Sequence, residues 1–179
     1  MVALIVALLG TASGACPEPV GAVHVTREVA AIESAWSTMD APAVYAGENQ
    51  LLSDVPCLIE AVPPSAAVAV YRALALTRYV VGDRATATSY LRSVREIDPG
   101  YALPEALVGP THPLRDLFAA AAPSDPPPDR RPLMPAAVGW LQVDGLRATS
   151  VPADRPFLFQ HLDRIGGSGA AGRQQAGRQ

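Results

Sequence analysis

Apolar residues in the first two-thirds of the chain recur at the three- and four-residue spacing of helices that are buried on one face. The first stripe predicts a helix over about 26–39, and it consists of Val25, Val29, Ile32, Trp36 and Met39. Asp40 is the predicted N-cap of a second helix. Glu48 interrupts the apolar side of that helix, and Pro56 ends it directly before Cys57. These positions predict an antiparallel helix pair.

A second helix pair is predicted over residues 65–101. Ser65 is the expected cap of its first helix, and Gly82 is expected to make the turn. Asp83 then caps the following helix, and the run 98–100 (Asp-Pro-Gly) stops it. This stretch has a recognisable pattern over its full length.

Large and small residues stand in a fixed order in the second pair. They are Tyr71, Leu74, Ala75, Ala87, Leu91 and Pro99. In this order and spacing, residues 68–101 resemble one tetratricopeptide repeat, a 34-residue helix–turn–helix with the signature W-x2-L-G-x2-Y…A-x3-F…P. The resemblance implies that Ala75 and Ala87 let the two helices approach closely. Tyr71, Leu74, Leu91 and Val94 are then expected to fill the space between them.

Arg78 departs from this pattern, because the family prefers Tyr at its position. The resemblance places Arg78 on the inner surface that repeat proteins commonly use for binding. An Arg there can receive an acidic group or a chain terminus of a partner. We therefore predict Arg78 as a partner-binding residue, whereas Arg92 and Arg95 are expected on a solvated face.

A single repeat cannot bury both of its faces, so neighbours are required. The first helix pair is the expected neighbour on one side, although it matches the repeat signature poorly. A short fifth helix is expected on the other side. Its predicted apolar face consists of Leu114, Leu117, Phe118 and Ala121.

The composition changes abruptly after the helices. Residues 123–136 are proline-rich and predict a semi-rigid linker. Residues 137–165 predict a short β segment with a hairpin turn at Asp144-Gly145. Its run W-L-Q-V-D-G, followed by T-S-V-P, resembles part of a PEGA-type surface β module. Residues 166–179 are rich in Gly, Ala, Gln and Arg and are predicted to be disordered.

The N-terminal 15 residues resemble a secretory signal, with a short apolar run followed by small residues before Cys16. The chain has two cysteines, and an even number in an exported protein favours a disulfide between Cys16 and Cys57. Closing a loop of about 42 residues stabilises by about 4 kcal/mol on the chain-entropy model. The alternative is an acylated Cys16 that opens a lipoprotein. Because no Arg or Lys precedes the apolar run, two alternatives stay open, a true start elsewhere or a poor signal.

Composition and motifs narrow the classes of function. All 14 basic residues are Arg, so chemistry that requires a Lys is excluded, and no basic patch indicates nucleic acid. His24, His112 and His161 are scattered, with no second metal ligand at helical spacing. Motifs of hydrolases, zinc proteases and phosphate-binding loops are missing. We therefore expect no cofactor, no metal, no small-molecule ligand and no enzymatic activity.

Together these features predict a mainly α protein with antiparallel helix pairs, about five helices in all. A helical domain over 16–122 resembling tetratricopeptide repeats is followed by the linker and a short β hairpin. The predicted role is an exported bacterial envelope protein, in the periplasm or at the cell surface, that binds a protein partner as a scaffold. The alternative is a lipid-anchored structural component of an envelope assembly, and an enzyme of unknown type is a remote third. Contact with a membrane is expected only through the signal or a lipid on Cys16.

Overall fold

The computed structural model describes residue 16 and residues 18–122, 129–136 and 139–162. In these residues five α-helices precede five short strands. The helices are α1 (Ala22–Ser37), α2 (Ala41–Asp54), α3 (Pro64–Val80), α4 (Arg84–Ile97) and α5 (Leu114–Ala120). The predicted mainly α architecture with a C-terminal β segment is confirmed. The predicted signal and tail lie outside the described residues, as do residues 123–128 of the proline-rich linker.

The first helix begins four residues earlier than the apolar stripe predicts. It begins at Ala22, whose N–H donates to the carboxylate of Glu60 at 2.8 Å, so a residue distant in sequence caps it. Val25, Val29 and Ile32 are buried as predicted. Met39 is not part of the stripe, because the helix has ended and its backbone has turned to a φ of 57°. Its side chain is 93% exposed.

The turn between α1 and α2 brings the two helices into close contact. Asp40 accepts a hydrogen bond from the N–H of Ala43 at 3.1 Å, as its predicted role as N-cap requires. Farther along α2, a Cβ on Gly47 would lie 2.6 Å from Cγ1 of Ile32. Gly47 therefore allows a helix approach that any larger residue would obstruct.

The pair α3 and α4 packs as the sequence pattern predicts. The two alanines and the four larger residues assigned to the helix interface are all buried: Tyr71, Leu74, Ala75, Ala87, Leu91 and Val94. Gly82 makes the turn with a φ of 79°, and Asp83 caps α4 by accepting from the N–H of Thr86 at 3.0 Å. The predicted Ser65 cap is wrong. Helix α3 begins one residue earlier, at Pro64, because proline suits the first turn of a helix.

The fifth helix and the loop before it close one side of the helical domain. Leu103 and Val108 of the loop and Leu114 of α5 are buried against Leu76 and Leu91. The guanidinium of Arg115 donates to three carbonyl groups of this loop, those of Leu103, Val108 and Gly109. The loop is therefore held by both apolar packing and side-chain hydrogen bonds.

The strands form two small antiparallel sheets. They are β1 (Arg130–Pro132), β2 (Trp140–Val143), β3 (Leu146–Arg147), β4 (Ser150–Pro152) and β5 (Phe159–Leu162). One sheet pairs β1 with β4, and the other has the order β3-β2-β5. Asp144-Gly145 forms the predicted turn between β2 and β3, with φ values of 53° and 85°. Strand β1 lies inside the predicted linker, where the sequence pattern indicates no strand.

The edge of β1 is poorly suited to pairing with a further strand. Leu133 donates its N–H to Thr149, and Ala153 donates to Asp129, so both neighbours of β1 bond across to β4. In this register Arg130 and Pro132 direct their backbone groups away from β4. Pro132 has no N–H to donate, which limits pairing at this edge.

In the described residues, no helix has both the length and the apolar character to cross a bilayer.

Candidate binding site

Arg78, the predicted partner-binding residue, forms an ion pair inside the helical domain. Its guanidinium donates to the carboxylate of Glu48 on α2. Glu48 is only 5% exposed, so this carboxylate is a buried charge with a partner on the neighbouring helix pair. The two residues that interrupt their apolar helix faces are thus each other's partner.

This ion pair limits, but does not exclude, contact between Arg78 and a partner. Its side chain retains partial exposure, although its Nε is buried. An acidic group that approached Arg78 would compete with Glu48. The binding role of Arg78 therefore stays a prediction.

A cluster of aromatic residues lies where α1 and α3 end. Trp36 and Tyr79 contact each other edge-on with ring centroids 5.9 Å apart, and His112 lies 5.5 Å from Trp36 and 5.3 Å from Tyr79. The guanidinium of Arg84, at the start of α4, lies 5.3 Å from the centre of the Tyr79 ring. We call these four residues the turn-end cluster. The indole N–H of Trp36 donates to the carbonyl of Leu107 at 2.9 Å, which fixes the cluster to the α4–α5 loop.

The turn-end cluster is bordered by exposed apolar side chains. Met39 follows α1 and is 93% exposed, and Val81 follows α3 and is 47% exposed. Both belong to the turns between helices, so they lie at the same end of the domain as Trp36 and Tyr79. The combination of half-buried aromatic rings, an exposed Arg and exposed apolar residues is typical of protein interfaces.

An open groove of about 320 Å³ lies between α1 and the α4–α5 loop. Its lining residues are Glu33, Ser34, Ser37, Pro104, Ala106 and Leu107. Arg72 donates to Glu33 and, at 2.7 Å, to the hydroxyl of Tyr101. Burial alone lowers the pKa of Arg72, but the bonds to Tyr101 and Glu33 outweigh burial and raise it. The carboxylate of Glu33 in the groove wall is therefore paired with Arg72.

A buried polar junction connects the β segment to α3. Asp144, at the first position of the β2–β3 turn, accepts hydrogen bonds from the hydroxyl of Tyr71 at 2.6 Å and from the N–H of Leu158 at 2.8 Å. Burial raises the pKa of the Tyr71 hydroxyl well above its ordinary value, and the carboxylate of Asp144 raises it further. The neutral Tyr71 hydroxyl is thereby kept as a donor to Asp144.

Arg155 extends this junction to α4. It donates to Asp144 at 2.8 Å and to the carboxylate of Glu96. Burial alone lowers the pKa of the Arg155 guanidinium, but Asp144 and Glu96 outweigh burial and raise it above its ordinary value. Nearby, the hydroxyl of Ser93 donates to the carbonyl of Pro156 at 2.9 Å. The junction is therefore a set of charged and polar groups paired within the chain.

The predicted disulfide is confirmed: Cys16 is bonded to Cys57, with 5.4 Å between their Cα atoms. His24 lies near this end of the molecule and is 2.8 Å from Asp54. Of the other two histidines, one belongs to the turn-end cluster and the other, His161, lies on β5. Across the residues that the structure describes, no group of three His, Cys, Asp or Glu side chains could hold a metal ion.

Sequence patterns alone miss the turn-end cluster and the polar junction. Trp36 is predicted only as part of an apolar stripe, and Tyr71 only as a packing residue. One available signal is the placement of aromatic residues in the last turns of both α1 and α3. For the junction, the available signal is the Asp at the first position of a hairpin turn beside a buried strand.

Comparisons with known proteins leave the family open. No family model matches the sequence, and no solved structure matches the fold. Neogenin of Homo sapiens is 44% identical to this chain over 54 residues, which make up 30% of this chain. The chain spans about 4% of the length of neogenin, so this match assigns neither a family nor a role. The resemblances to a tetratricopeptide repeat and to a PEGA-type turn stay predictions.

Proposed function

We propose that this chain is an exported protein-binding module of a bacterial envelope, in which helices resembling tetratricopeptide repeats dock a protein partner. The observation that carries the proposal is the turn-end cluster with its exposed neighbours Met39 and Val81. Aromatic and Arg side chains dominate the binding energy of protein interfaces, because they bury much area with few rotatable bonds.

The cluster is held in place before a partner binds. Trp36 is fixed by its hydrogen bond to Leu107 and by the ring of Tyr79. The guanidinium of Arg84 lies against the Tyr79 ring, where it can receive a carboxylate of the partner. A surface that is ordered in advance loses less conformational entropy on binding.

The disulfide supports the exported location. Disulfides persist in oxidising compartments such as the periplasm or the cell exterior. Because the sulfur of Cys16 is bonded to Cys57, it is not available for a lipid, so the structure favours the exported module over the lipid-anchored alternative. Mass spectrometry of non-reduced protein from cells tests this point, and a diacylglycerol adduct on Cys16 would support the anchor instead.

Site-specific photo-cross-linking in the native cell tests the docking surface. A photoreactive amino acid replaces Val81 beside the turn-end cluster in one strain. In the control strain it replaces Val23, which is 83% exposed in the first turn of α1. The two ends of this helix are separated by about 20 Å, given a rise of about 1.5 Å per residue. The control is therefore matched in residue type, is the more exposed of the two positions, and lies at the opposite end.

We expect the Val81 position to yield a discrete cross-linked partner that the Val23 position does not. The substitution Arg84→Glu in the Val81 strain should abolish that cross-link, because it reverses the charge of the arginine in the turn-end cluster. Equal cross-linking at both positions, or an unchanged product with Arg84→Glu, would show that the partner does not bind here.

A further inference from the structure

The connector between α2 and α3 consists of residues 55–63, and its backbone forms hydrogen bonds on two sides. On one side it pairs with Val20, whose N–H donates to Cys57 at 3.0 Å and whose carbonyl accepts from Ile59 at 3.1 Å. On the other side, the backbone of Glu60 and Val62 binds side chains of the β segment. The connector thus resembles a strand with a second, covered edge.

Two glutamines cover this second edge. Gln142 on β2 and Gln160 on β5 lie directly opposite each other and are both buried. Gln160 accepts from the N–H of Val62 at 2.9 Å and donates to the carbonyl of Glu60 at 2.9 Å. Gln142 donates to the carbonyl of Val62 at 2.6 Å. A side-chain amide has the same donor and acceptor as a peptide group, so these glutamines take the place of a neighbouring strand.

The remaining contacts that attach the β segment to the helices combine the packing of Leu158 on the helical core with several polar contacts. Besides the glutamines, they include Tyr71 with Asp144 and Arg155 with Glu96. Buried ion pairs add little net stability, because desolvation offsets most of their attraction. Polar interfaces between parts of one chain also favour relative motion. Release of the segment therefore costs less than the separation of an apolar interface of the same size.

We propose that residues 139–162 are a releasable cover over the connector, and that the released connector binds an extended peptide through the backbone of Glu60 and Val62. Gln142 and Gln160 keep the site closed. The ligand is an extended polypeptide, because the groups exposed on release are backbone donors and acceptors in strand geometry. This surface lies apart from the turn-end cluster, so the inference does not depend on the docking role assigned there.

Native-state hydrogen exchange of the full chain tests whether the cover opens separately. The reporters are the N–H groups of Asp144 and Leu158, which bond within the β segment. They lose protection when the segment is released, because a few short strands are only marginally stable alone. We expect them to exchange through an opening with a smaller urea dependence than that of amides in α3. The double variant Gln142→Ala/Gln160→Ala should accelerate their exchange by about tenfold or more.

The control for this experiment is Gln50→Ala on α2, which removes a glutamine distant from the junction. It should leave the exchange of Asp144 and Leu158 unchanged. If these reporters exchange with the same urea dependence as α3 in the unmodified chain, the cover does not open separately and the proposal is wrong. The same holds if the double variant does not accelerate them.

A second experiment tests recognition by the connector. A fluorescent peptide with the sequence of residues 139–162 is added to the full-length Gln142→Ala/Gln160→Ala variant, and its anisotropy is followed. We expect this peptide to bind at least about tenfold more tightly than the same peptide carrying both alanine substitutions. Absence of binding, or equal binding of the two peptides, would overturn the proposed peptide recognition.

Discussion

Substitution of Gly145 by Ala should show how much the contact of the β2–β3 turn contributes to the free energy of unfolding. A matched control variant measures the cost of backbone strain alone. Gly145 has a φ of 85°, a conformation that costs an L-residue about 1–2 kcal/mol. Gly82 has a φ of 79° and provides a matched control, since a Cβ there meets nothing within 4 Å. Both variants therefore introduce similar strain, and only one introduces a clash.

The clash at Gly145 involves backbone atoms that cannot rotate away. A Cβ would lie 2.4 Å from the nitrogen of Pro64 and 2.6 Å from the carbonyl carbon of Pro63. The turn must move by about 1 Å to restore ordinary contacts. This displacement would break the bonds from the β segment to Tyr71 and Val62, and each buried hydrogen bond that is lost costs about 1–3 kcal/mol. Gly145→Ala should therefore destabilise by about 3–5 kcal/mol and Gly82→Ala by about 1–2 kcal/mol.

Urea denaturation followed by far-UV circular dichroism and by tryptophan fluorescence measures both losses. The fluorescence reports on both parts of the molecule, because Trp36 lies on α1 and Trp140 on β2, whereas the dichroism signal reports mainly on the helices. The difference between the two variants should exceed about 1.5 kcal/mol. Equal losses would mean that the β2–β3 turn contributes no specific contact with the proline connector, and the reasoning from this geometry would be refuted.

Three further predictions concern the ion pair, the pH dependence and the disulfide. Arg78→Ala should destabilise by about 2–4 kcal/mol in urea denaturation, because it leaves the charge of Glu48 buried and unpaired; Arg78→Leu combined with Glu48→Leu should recover most of this loss. Because the pKa of Tyr71 is raised by burial and by its carboxylate partner, its contribution to stability is complete below about pH 10 and is lost as the pH rises further. Tyr71→Phe should flatten the loss of stability above that pH, and an unchanged slope in this variant would contradict the assignment. Reduction of the disulfide at Cys57 should lower the free energy of unfolding by about 4 kcal/mol on the chain-entropy model, and a loss below about 1 kcal/mol would show that the arm adds little constraint.

The helices could be predicted from the sequence because the residues that determine them are close neighbours in the chain. The apolar stripes, the caps Asp40 and Asp83 and the turn at Gly82 act within a few residues of the chain. The beginning of α1 was not accessible, because the group that caps Ala22 belongs to Glu60. Strand β1 was missed for the same reason: its hydrogen-bonding partner is β4, about twenty residues farther along the chain.

In the candidate site, contacts between residues distant in the chain matter even more than they do for the helices and strands. Glu48 and Arg78 each interrupt an apolar pattern. From the sequence alone Arg78 is given a binding function, because Glu48 is not recognised as its partner. Only packing of α2 against α3 brings their charges together. The turn-end cluster likewise requires Trp36, Tyr79 and His112 to meet from three separate segments.

By itself the sequence determined the helix pairs and the hairpin turn, and it favoured a disulfide between the two cysteines while an acylated Cys16 stayed open. Periodicity and turn chemistry depend on neighbours in the chain, and a chain with two cysteines allows one internal disulfide. The tertiary structure decided the partners of the buried polar groups, among them Glu48, Tyr71, Asp144 and Gln160. A buried polar group must find a complementary donor or acceptor, and which one it meets depends on how the helices and strands pack together.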